Sequence, residues 1–284
     1  ILKFISNKGI AVIAGFQGIS FENRITTLGR GGSDLSAVAL AKFFKADSCE
    51  IYTDVEGVFT TDPSINTKAK KIDKISYEEM LEMASLGAKV MQPNAVQASM
   101  IDDILIHVRS TFLKKSGTKI ISENDIDYKK AVTGIAYSKN NAKISLVGVV
   151  DKPGVAADVF EPIGKNNINI DMVIQNTSLD GKTANITFTI KQEDLKKTLI
   201  IIDKNKKKIN FKKITHDAKL AKVSVIGAGM ITSPGVTHRM FRSLANEKIN
   251  ILAISTSEIK ISVLIEENLT QKAVKVLHKA FGLD

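Results

Sequence analysis

A glycine-rich segment that runs straight into an apolar helical pattern carries the clearest chemistry in the sequence. Residues 29–34 read Gly-Arg-Gly-Gly-Ser-Asp, and apolar residues at helical spacing follow from Leu35. Glycines permit positive φ and let a ligand come close to the backbone, while Ser33 is a favourable N-cap residue at an anion-attracting helix start. A cation, Arg30, lies near a carboxylate, Asp34. The segment therefore suits a ligand that is anionic in one part and cationic in another.

The same segment differs from two well-known phosphate-binding motifs. No Gly-Lys-Ser/Thr closes it, as in a P-loop, and Asp34 stands where a dinucleotide-binding fingerprint requires its third glycine. Taken alone, the segment is also compatible with a tight strand-to-helix turn that binds nothing, because glycine-rich turns commonly separate secondary-structure elements. The choice between a binding site and a simple turn depends on the rest of the chain.

Length and composition describe an ordinary globular protein. The 284 residues predict roughly two domains, and 44% hydrophobic with 25% charged residues is usual for such proteins. The single cysteine, Cys49, excludes a disulfide framework and favours a reducing cytoplasm, and we expect it to be a buried strand thiol. No apolar run reaches the length of a membrane span, and none has the layout of a signal peptide.

The net charge of +10 is spread along the chain and does not form a distinct basic face. The densest basic run, residues 204–213, contains one aromatic residue, Phe211, so we expect a solvated connection and no nucleic-acid partner. The four histidines lack metal-ligand spacing, so no metal site is predicted. Asp102 and Asp103 form a carboxylate pair that fits a solvated turn better than a catalytic dyad.

Alternation of strand-like and helical patterns over the first half predicts an α/β fold. Residues 10–14 and 50–53 are apolar strand patterns, and the helix that follows the glycine-rich segment separates them in a βαβ arrangement. In such sheets ligands bind at the carboxyl ends of strands, where residues 15–18, 29–34 and 54–63 fall. The carboxylates of loop 54–63 would suit Mg²⁺ or a ribose, unless the loop is a polar surface hairpin.

Capping signals place a helix after this loop. Ser76, with Glu79 three residues later, forms a capping box at the helix start, and Gly87 ends the helix. Lys89 follows in Gly-Ala-Lys-Val. Its charge would either neutralise the last helical carbonyls or reach into a phosphate site.

Three longer motifs in this half carry a resemblance. They are TTLGRGGSDLSAVALA, YTDVEGVFTTDP and SYEEMLEMASLGAKVMQP. Together they resemble the C-terminal portion of the kinase domain of the aspartokinase family, within the amino acid kinase superfamily, over nearly all of residues 10–112. The resemblance implies a three-layer α/β sheet and transfer of the γ-phosphate of ATP to the β-carboxylate of L-aspartate, which gives 4-phospho-L-aspartate. MgATP would be a co-substrate, and no tightly bound cofactor is implied.

The resemblance implies roles for individual residues. The guanidinium of Arg30 would bind a substrate carboxylate, which a bidentate cation does better than a lysine, and Asp34 would hold the ammonium group. Because phosphoryl transfer relies on positioning and charge neutralisation, these residue types agree with the chemistry. The expected substrate-binding residues are Arg30, Gly31, Gly32, Ser33 and Asp34, and the expected ATP-binding residues are Thr53, Asp54, Phe59, Ser64 and Lys89.

The chain departs from the family pattern at several positions. Phe59 stands where tyrosine is usual, Ser64 stands where arginine is common, and Gln92-Pro93-Asn94 replaces His-Pro-Arg. The family's Lys-Phe-Gly-Gly segment, which supplies a phosphate-contacting lysine, does not occur in these 284 residues. We therefore expect the chain to lack aspartate kinase activity unless that N-terminal part is restored.

An internal repeat organises the second half. Residues 144–148, 153–155 and 169–170 return as residues 223–227, 234–236 and 250–251. Each unit reads strand, Pro-Gly turn, helix, strand, strand, helix, and the two units resemble a pair of ACT domains, which are α+β modules of ferredoxin-like βαββαβ order that bind amino acids. The predicted organisation is a kinase-domain portion at residues 1–112, a linker at 113–131, a first ACT domain at 132–213 and a second at 214–284.

The ACT resemblance implies sites for an amino-acid effector, namely lysine, threonine or both. The second module lacks an acid that matches Asp151, so one well-formed class of site is expected. Pairing of ACT modules predicts a homo-oligomer. Two alternatives remain: a non-catalytic amino-acid-binding regulatory subunit, or modules that only dimerise and support the kinase part. The expected effector contacts are Asp151, Gly154, Ala156, Asn169, Asp171 and Gln175 in the first module, and Val236, Thr237, Asn250, Ile251, Thr256 and Ser257 in the second.

Overall fold

The first part of the chain forms an α/β unit around a four-stranded sheet. The computed structural model describes residues 1–88, 90–128, 130–178 and 181–284. The elements are α1 (Leu2–Ser6), β1 (Gln17–Ile19), β2 (Ile25–Thr27), α2 (Gly32–Phe44), β3 (Cys49–Thr53), β4 (Lys74–Ser76), α3 (Tyr77–Ser85), α4 (Pro93–Asp102), β5 (Ile106–Ser110) and β6 (Thr118–Ile121). The sheet has the order β3-β5-β6-β4, with β3 parallel to β5 and β4 parallel to β6.

Three helices pack on this sheet and build its core. Val38 of α2, Met80 of α3 and Val96 of α4 are buried in one cluster with the strand residues. The predicted capping box is present, because the Ser76 hydroxyl accepts a hydrogen bond from Glu79 N (3.1 Å) and the Glu79 carboxyl accepts one from Ser76 N (3.2 Å). The prediction of a buried strand thiol is confirmed as well. Burial, and secondarily the charge of Asp34, raise the pKa of the Cys49 thiol to about 11.

Two sequence predictions in this part are wrong. Residues 10–14 form no strand, because they pair with no other strand among the described residues, and Ile10 and Val12 are 88% and 95% exposed. An apolar run becomes a sheet strand only where a neighbour supplies hydrogen bonds. Residues 113–131 are not a linker throughout, since β6 lies within them and pairs with β4 and β5. Polar local composition concealed that strand, in which Ile120 is fully buried.

The second part of the chain is built on one six-stranded antiparallel sheet. The elements are β7 (Gly134–Val150), α5 (Val155–Gly164), β8 (Val173–Thr177), β9 (Thr183–Lys191), α6 (Leu195–Lys204), α7 (Lys206–Ile209), β10 (Lys213–Ile226), α8 (Val236–Asn246), β11 (Ala253–Thr256), β12 (Lys260–Glu266) and α9 (Thr270–Ala280). The strand order is β11-β12-β10-β7-β9-β8, and the two longest strands lie side by side at the centre. One apolar core packs α5 and α6 against β7 and β9, and another packs α8 and α9 against β10 and β12.

The two central strands each serve both repeats. Residues 141–150 of β7 pair with β9, and residues 213–217 of β10 complete the first βαββαβ module. Residues 220–226 of β10 begin the second module, whose fourth strand is formed by residues 134–141 of β7. The second module therefore takes a strand that precedes the first module in the chain. The predicted boundary, which assigned residues 132–213 to the first module, does not include this exchange.

Candidate functional site

A left-handed glycine starts helix α2 and shapes the glycine-rich motif. Gly31 is the N-cap, with a φ of 73°, and the helix begins at Gly32. A Cβ at Gly31 would lie 1.9 Å from Gln92 Cγ, so a larger residue would collide with the start of α4. The prediction that Ser33 is the N-cap is wrong, because the left-handed turn at Gly31 brings the chain into the helix earlier.

One hydroxyl joins the glycine loop at residues 15–18 to the start of α2. Ser36 Oγ accepts a hydrogen bond from Phe16 N (3.0 Å) and donates one to Gly32 O (2.7 Å). Leu28 N donates to Phe16 O (3.2 Å), which closes the loop against the segment that precedes Arg30. The structure thus brings together two glycine-rich segments that the sequence marked separately.

Arg30 and Asp34 have different environments at this helix start. Arg30 is exposed, and within the described ranges it forms no ion pair. Asp34 is half-buried, and this burial raises the pKa of its carboxyl group, although hydrogen bonds from the Gln92 backbone and the Ser33 side chain act in the opposite direction. A cation able to bind a carboxylate therefore lies close in sequence to a carboxylate able to bind an ammonium group. The arrangement suits a zwitterionic amino acid.

Four of the five predicted ATP-binding residues lie in or beside the loop after β3. Thr53 Oγ1 donates to Asp54 Oδ1 (2.9 Å) at the carboxyl end of that strand. Farther along the loop, Asp62 Oδ1 accepts hydrogen bonds from Ser64 N (2.9 Å) and Ser64 Oγ (2.6 Å). Ser64 therefore orders its own turn. Lys89 lies outside the described residues.

Phe59 lines a cleft of about 560 Å³ between this loop and the second part of the chain. The buried hydroxyl of Thr61, which also lines the cleft, has no hydrogen-bond partner among the residues that the structure describes. Thr53, Asp54 and Ser64 do not line the cleft. Other lining residues are Asp62 and Pro63 of the loop, Gly87, Ala88 and Val90 beside Lys89, and residues 135–140 of β7.

Tyr137 of β7 contacts the predicted ATP-binding loop directly, and sequence reasoning missed it. Its hydroxyl donates to Asp62 Oδ2 (3.0 Å). Burial, followed by the hydrogen bond to Asp62, raises the pKa of the Tyr137 hydroxyl to about 12, so the phenol remains a donor at neutral pH. No sequence signal marked Tyr137, because it lies 75 positions from Asp62 in an ordinary strand pattern.

A buried histidine links helix α9 to the same loop. His278 Nε2 lies 2.8 Å from Thr60 Oγ1, and His278 Nδ1 lies 2.7 Å from Asp284 Oδ1. The histidine is fully buried, and both ring nitrogens have partners, as buried polar groups require. From sequence the histidines are simply scattered, yet this one ties the last helix to the residue next to Phe59.

Left-handed glycines open the first helix of both ACT-like modules. Gly154 is the N-cap of α5 with a φ of 91°, and Gly235 is the N-cap of α8 with a φ of 90°. Nothing lies within 4 Å of a Cβ built on either glycine. Both helix starts are therefore open to a carboxylate, which a helix N-terminus favours. The predicted effector residues at these starts are Asp151, Gly154 and Ala156 in the first module, and Val236 and Thr237 in the second.

Asp171 lies far from Asp151 within one copy of the chain. Asp171 N donates to Thr189 O, whereas Asp151 N donates to Lys182 O, each at 3.0 Å. These two acceptors are seven residues apart along one extended segment, a separation of roughly 23 Å. One small ligand bound to a single copy therefore cannot contact both acids.

The other predicted effector residues lie in or beside strands β8 and β11. Asn169 precedes β8, and Gln175 occupies an exposed position midway along it. Residues 250–251 precede β11, whereas Thr256 ends that strand and Ser257 follows it. These predicted effector residues of the second module thus lie at both ends of β11, so they are separated from each other, as Asp151 and Asp171 are in the first module.

The carboxylate pair Asp102 and Asp103 lies at the end of a helix. Asp102 ends α4 and pairs with Lys42 (2.6 Å), while Asp103 forms the left-handed turn that follows, with a φ of 49°. Among the described residues, no group of three or more His, Cys, Asp or Glu side chains is arranged to hold a metal ion. Over the same part of the chain, no helix is both long enough and apolar enough to cross a membrane.

An amino acid kinase sheet joined to paired ACT modules defines a regulated amino acid kinase. Residues 1–110 match the amino acid kinase family, and residues 144–205 and 223–281 match the ACT domain. An aspartate kinase of Pseudomonas fluorescens (strain SBW25) is 47% identical over 276 residues, which are 97% of this chain and 67% of that protein. An aspartokinase of Bacillus sp. (strain MGA3) is 44% identical over 283 residues, which are 100% of this chain and 69% of that protein. The chain therefore belongs to the aspartate kinase family.

Solved structures agree with this membership. The crystal structure of Clostridium acetobutylicum aspartate kinase matches with a TM-score of 0.87 and 30% identity, over 95% of this chain and 62% of that one. E. coli aspartokinase III in complex with aspartate and ADP matches with a TM-score of 0.81 and 28% identity, over 97% and 61%. The chain thus spans about two thirds of the length of these relatives. The predicted family and fold class are confirmed.

Proposed function

We propose that the chain acts in an aspartate kinase that transfers the γ-phosphate of ATP to the β-carboxylate of L-aspartate. The observation that carries this proposal is the start of α2, where an exposed Arg30 precedes a half-buried Asp34. A guanidinium binds a carboxylate through two parallel hydrogen bonds, and Asp34 can pair with the ammonium group. In support, the structurally similar E. coli aspartokinase III was solved in complex with aspartate and ADP.

The residues have separate tasks in this proposal. Arg30 and Asp34 orient the amino acid so that its β-carboxylate faces the nucleotide. Asp54, at the end of β3, offers an oxygen ligand of the kind that the Mg²⁺ of MgATP prefers, and Phe59 contacts the nucleotide in its cleft. Lys89 neutralises phosphate charge. No covalent enzyme group is needed, because phosphoryl transfer depends on in-line positioning and charge neutralisation.

Formation of an acyl phosphate tests the proposal. The test uses a fusion protein, in which the part of the Pseudomonas fluorescens relative that this chain does not match is joined to the N-terminus of the chain. Because hydroxylamine traps an acyl phosphate as a hydroxamate, we expect hydroxamate from ATP with L-aspartate and none from ATP with L-glutamate. A fusion protein that is folded by circular dichroism but makes no aspartyl hydroxamate would contradict the proposal.

Regulation by lysine, threonine or both is the second element of the proposed function. E. coli aspartokinase III in complex with lysine and aspartate matches this chain with a TM-score of 0.77 and 28% identity. Strands β8 and β11 are the two edges of the six-stranded sheet, so a second copy of the chain can pair with either edge. Because one copy keeps Asp151 and Asp171 apart, a site that uses both acids requires such a homo-oligomer.

Asp151→Ala is expected to weaken effector binding at least tenfold, because it removes a charged partner of the effector's ammonium group. The fold should stay intact, since Asp151 is partly exposed and precedes α5. Calorimetric titration with lysine and threonine measures the effect. Asp203→Ala, which removes an exposed acid from α6 of the same module, is the control and should change nothing. Equal affinities in Asp151→Ala and the unsubstituted chain would count against the assigned site.

A non-catalytic regulatory subunit is the second candidate function. The regulatory subunit of aspartate kinase from Thermus thermophilus matches with a TM-score of 0.50 and 34% identity, over 54% of this chain and 99% of that one. A protein of that kind would bind an effector amino acid but would yield no hydroxamate in the fusion protein. The hydroxamate experiment therefore separates the two candidates.

A further inference from the structure

A lysine is buried in the central strand β10. The Lys222 side chain is 9% exposed, and the residue stands opposite Ser138 of β7 and Leu264 of β12. Its neighbours Ala221 and Val223 belong to the core beneath α8 and α9. Since successive strand residues point to opposite faces, Lys222 lies on the other face of the sheet. A buried ammonium group is costly unless an acid pairs with it.

The acid that pairs with Lys222 comes from the other module. Lys222 Nζ forms an ion pair with Asp171 Oδ2. Asp171 precedes β8 in the first module, and its side chain is 47% exposed. One partner of this ion pair is therefore inside the sheet, while the other faces solvent within reach of a ligand.

The internal repeat supplies a matched lysine. Residues 142–148 read Ala-Lys-Ile-Ser-Leu-Val-Gly, and residues 221–227 read Ala-Lys-Val-Ser-Val-Ile-Gly, so Lys143 is the counterpart of Lys222. The Lys143 side chain is 17% exposed and pairs with Asp217 (3.0 Å), its direct partner on the neighbouring strand. Lys143 thus reproduces the burial and charge of Lys222 with a different acid.

The acid has no counterpart in the second repeat. The residue 81 positions after Asp171 is Leu252. The repeat thus retains the lysine at both positions but the acid at one. The first module therefore has, at an expected effector position, an acid that pairs with a lysine of the other module. The second module has no acid at the matching position.

We propose that Lys222 is a resident counter-ion that holds Asp171 until the ammonium group of an amino-acid effector displaces it. This inference rests on the proposed effector role of Asp171. Binding must separate an ion pair whose lysine is buried, so the pair lowers the affinity of the site. A ligand without an ammonium group cannot replace Lys222, so the pair also selects amino acids over simple carboxylic acids.

Displacement of Lys222 has a short route to the predicted ATP-binding loop. Lys222 lies opposite Ser138 in the ladder between β10 and β7, and the adjoining Tyr137 donates to Asp62 of that loop. Ser138 and Tyr137 both line the cleft that contains Phe59. An effector that favours the state with Lys222 displaced would therefore shift the equilibrium between two arrangements of the loop. The size of this shift is set by the difference in effector affinity between the two states.

Calorimetric titration of the 284-residue chain with L-lysine and L-threonine, separately and together, tests the proposal. Lys222→Met removes the charge, keeps most of the aliphatic packing and leaves Asp171 available. The effector that binds the unsubstituted chain should bind about tenfold more tightly, the low end of what one charge-assisted hydrogen bond contributes. Lys143→Met is the matched control, and its affinity should stay within about twofold because its acid is not an effector contact.

The outcomes separate this inference from the proposed function. Unchanged affinity in Lys222→Met, in a chain that does bind effector, would overturn the inference and leave effector binding intact. Binding of neither amino acid to any variant would overturn the effector function, and the inference with it. Binding that appears only in Lys222→Met would support the inference, because the resident lysine then blocks the site.

A second measurement needs no substitution at Lys222 and so does not depend on how the variant folds. In the chain labelled with ¹³C-lysine, the ε-methylene signal of Lys222 is expected to shift when effector is added, while that of Lys143 stays in place. Succinate, which has two carboxylates and no ammonium group, should move neither signal. A bound effector that leaves the Lys222 signal unmoved would contradict displacement.

Discussion

Replacement of Glu79 by alanine is expected to lower the free energy of unfolding by about 4 kcal/mol, because two buried donors and one partly buried donor lose their acceptor. Glu79 is fully buried in α3. Its Oε1 accepts hydrogen bonds from Thr133 Oγ1 (2.7 Å) and Ala228 N (2.8 Å), and its Oε2 accepts one from Ser76 N (3.2 Å). Each donor left without a partner in the interior costs about 1–3 kcal/mol.

Two further variants calibrate this expectation in urea unfolding. Glu79→Gln keeps one acceptor oxygen and turns an amide NH₂ towards the remaining donors, so its loss should be intermediate, about 2 kcal/mol. Glu82 lies in the same helix, is partly exposed and pairs with Lys260 (2.7 Å). Glu82→Ala should therefore cost no more than about 1 kcal/mol. Equal losses for Glu79→Ala and Glu82→Ala would mean that the donors around Glu79 find other acceptors.

The same carboxyl joins the two parts of the chain. Thr133 precedes β7, and Ala228 follows β10, so both hydrogen bonds to Glu79 Oε1 come from the second module. Met83, one turn further along α3, contacts the position of Gly134, where an added Cβ would lie 3.1 Å from Met83 Cε. Helix α3 is thus anchored on the strands that the two ACT modules share.

Features determined by a few neighbouring residues could be predicted from the sequence. The capping box of Ser76 and Glu79 needs residues three apart, and the helices after Gly154 and Gly235 need a local left-handed turn. The sequence also predicts a helix start at the glycine-rich motif, although the helix begins at Gly32, earlier than an N-cap at Ser33 would place it. Each of these features depends on residues that lie within about one helical turn of each other.

Features determined by distant pairing could not be predicted. Glu79 is recognisable as a cap residue, but Thr133 and Ala228 lie 54 and 149 positions away from it. Residues 134–141 carry an ordinary strand pattern, and periodicity does not say which module a strand joins. Periodicity fails in the opposite direction at residues 10–14, where an apolar run lacks a partner strand among the described residues.

Arg30→Ala is expected to have the largest effect on the proposed reaction. In the fusion protein, kcat/KM for L-aspartate should fall roughly 100- to 1,000-fold, the cost of leaving a bound carboxylate without its cation. Arg30→Lys should restore only part of this loss, because a point charge replaces two parallel hydrogen bonds. KM for ATP should change by less than about twofold, since Arg30 belongs to the α2 motif and lines neither the loop nor the cleft.

Arg24→Ala is the control for charge alone. Arg24 is an exposed arginine on the same stretch of chain, and its Nε lies 3.6 Å from Glu22 Oε2. Its loss should leave kcat/KM for L-aspartate and KM for ATP unchanged. Because Arg30 is also exposed, Arg30→Ala should unfold at the same urea concentration as the unsubstituted protein, which separates a binding defect from a folding defect. Loss of ATP affinity with unchanged aspartate affinity would assign Arg30 to the nucleotide and contradict its role in holding the amino acid.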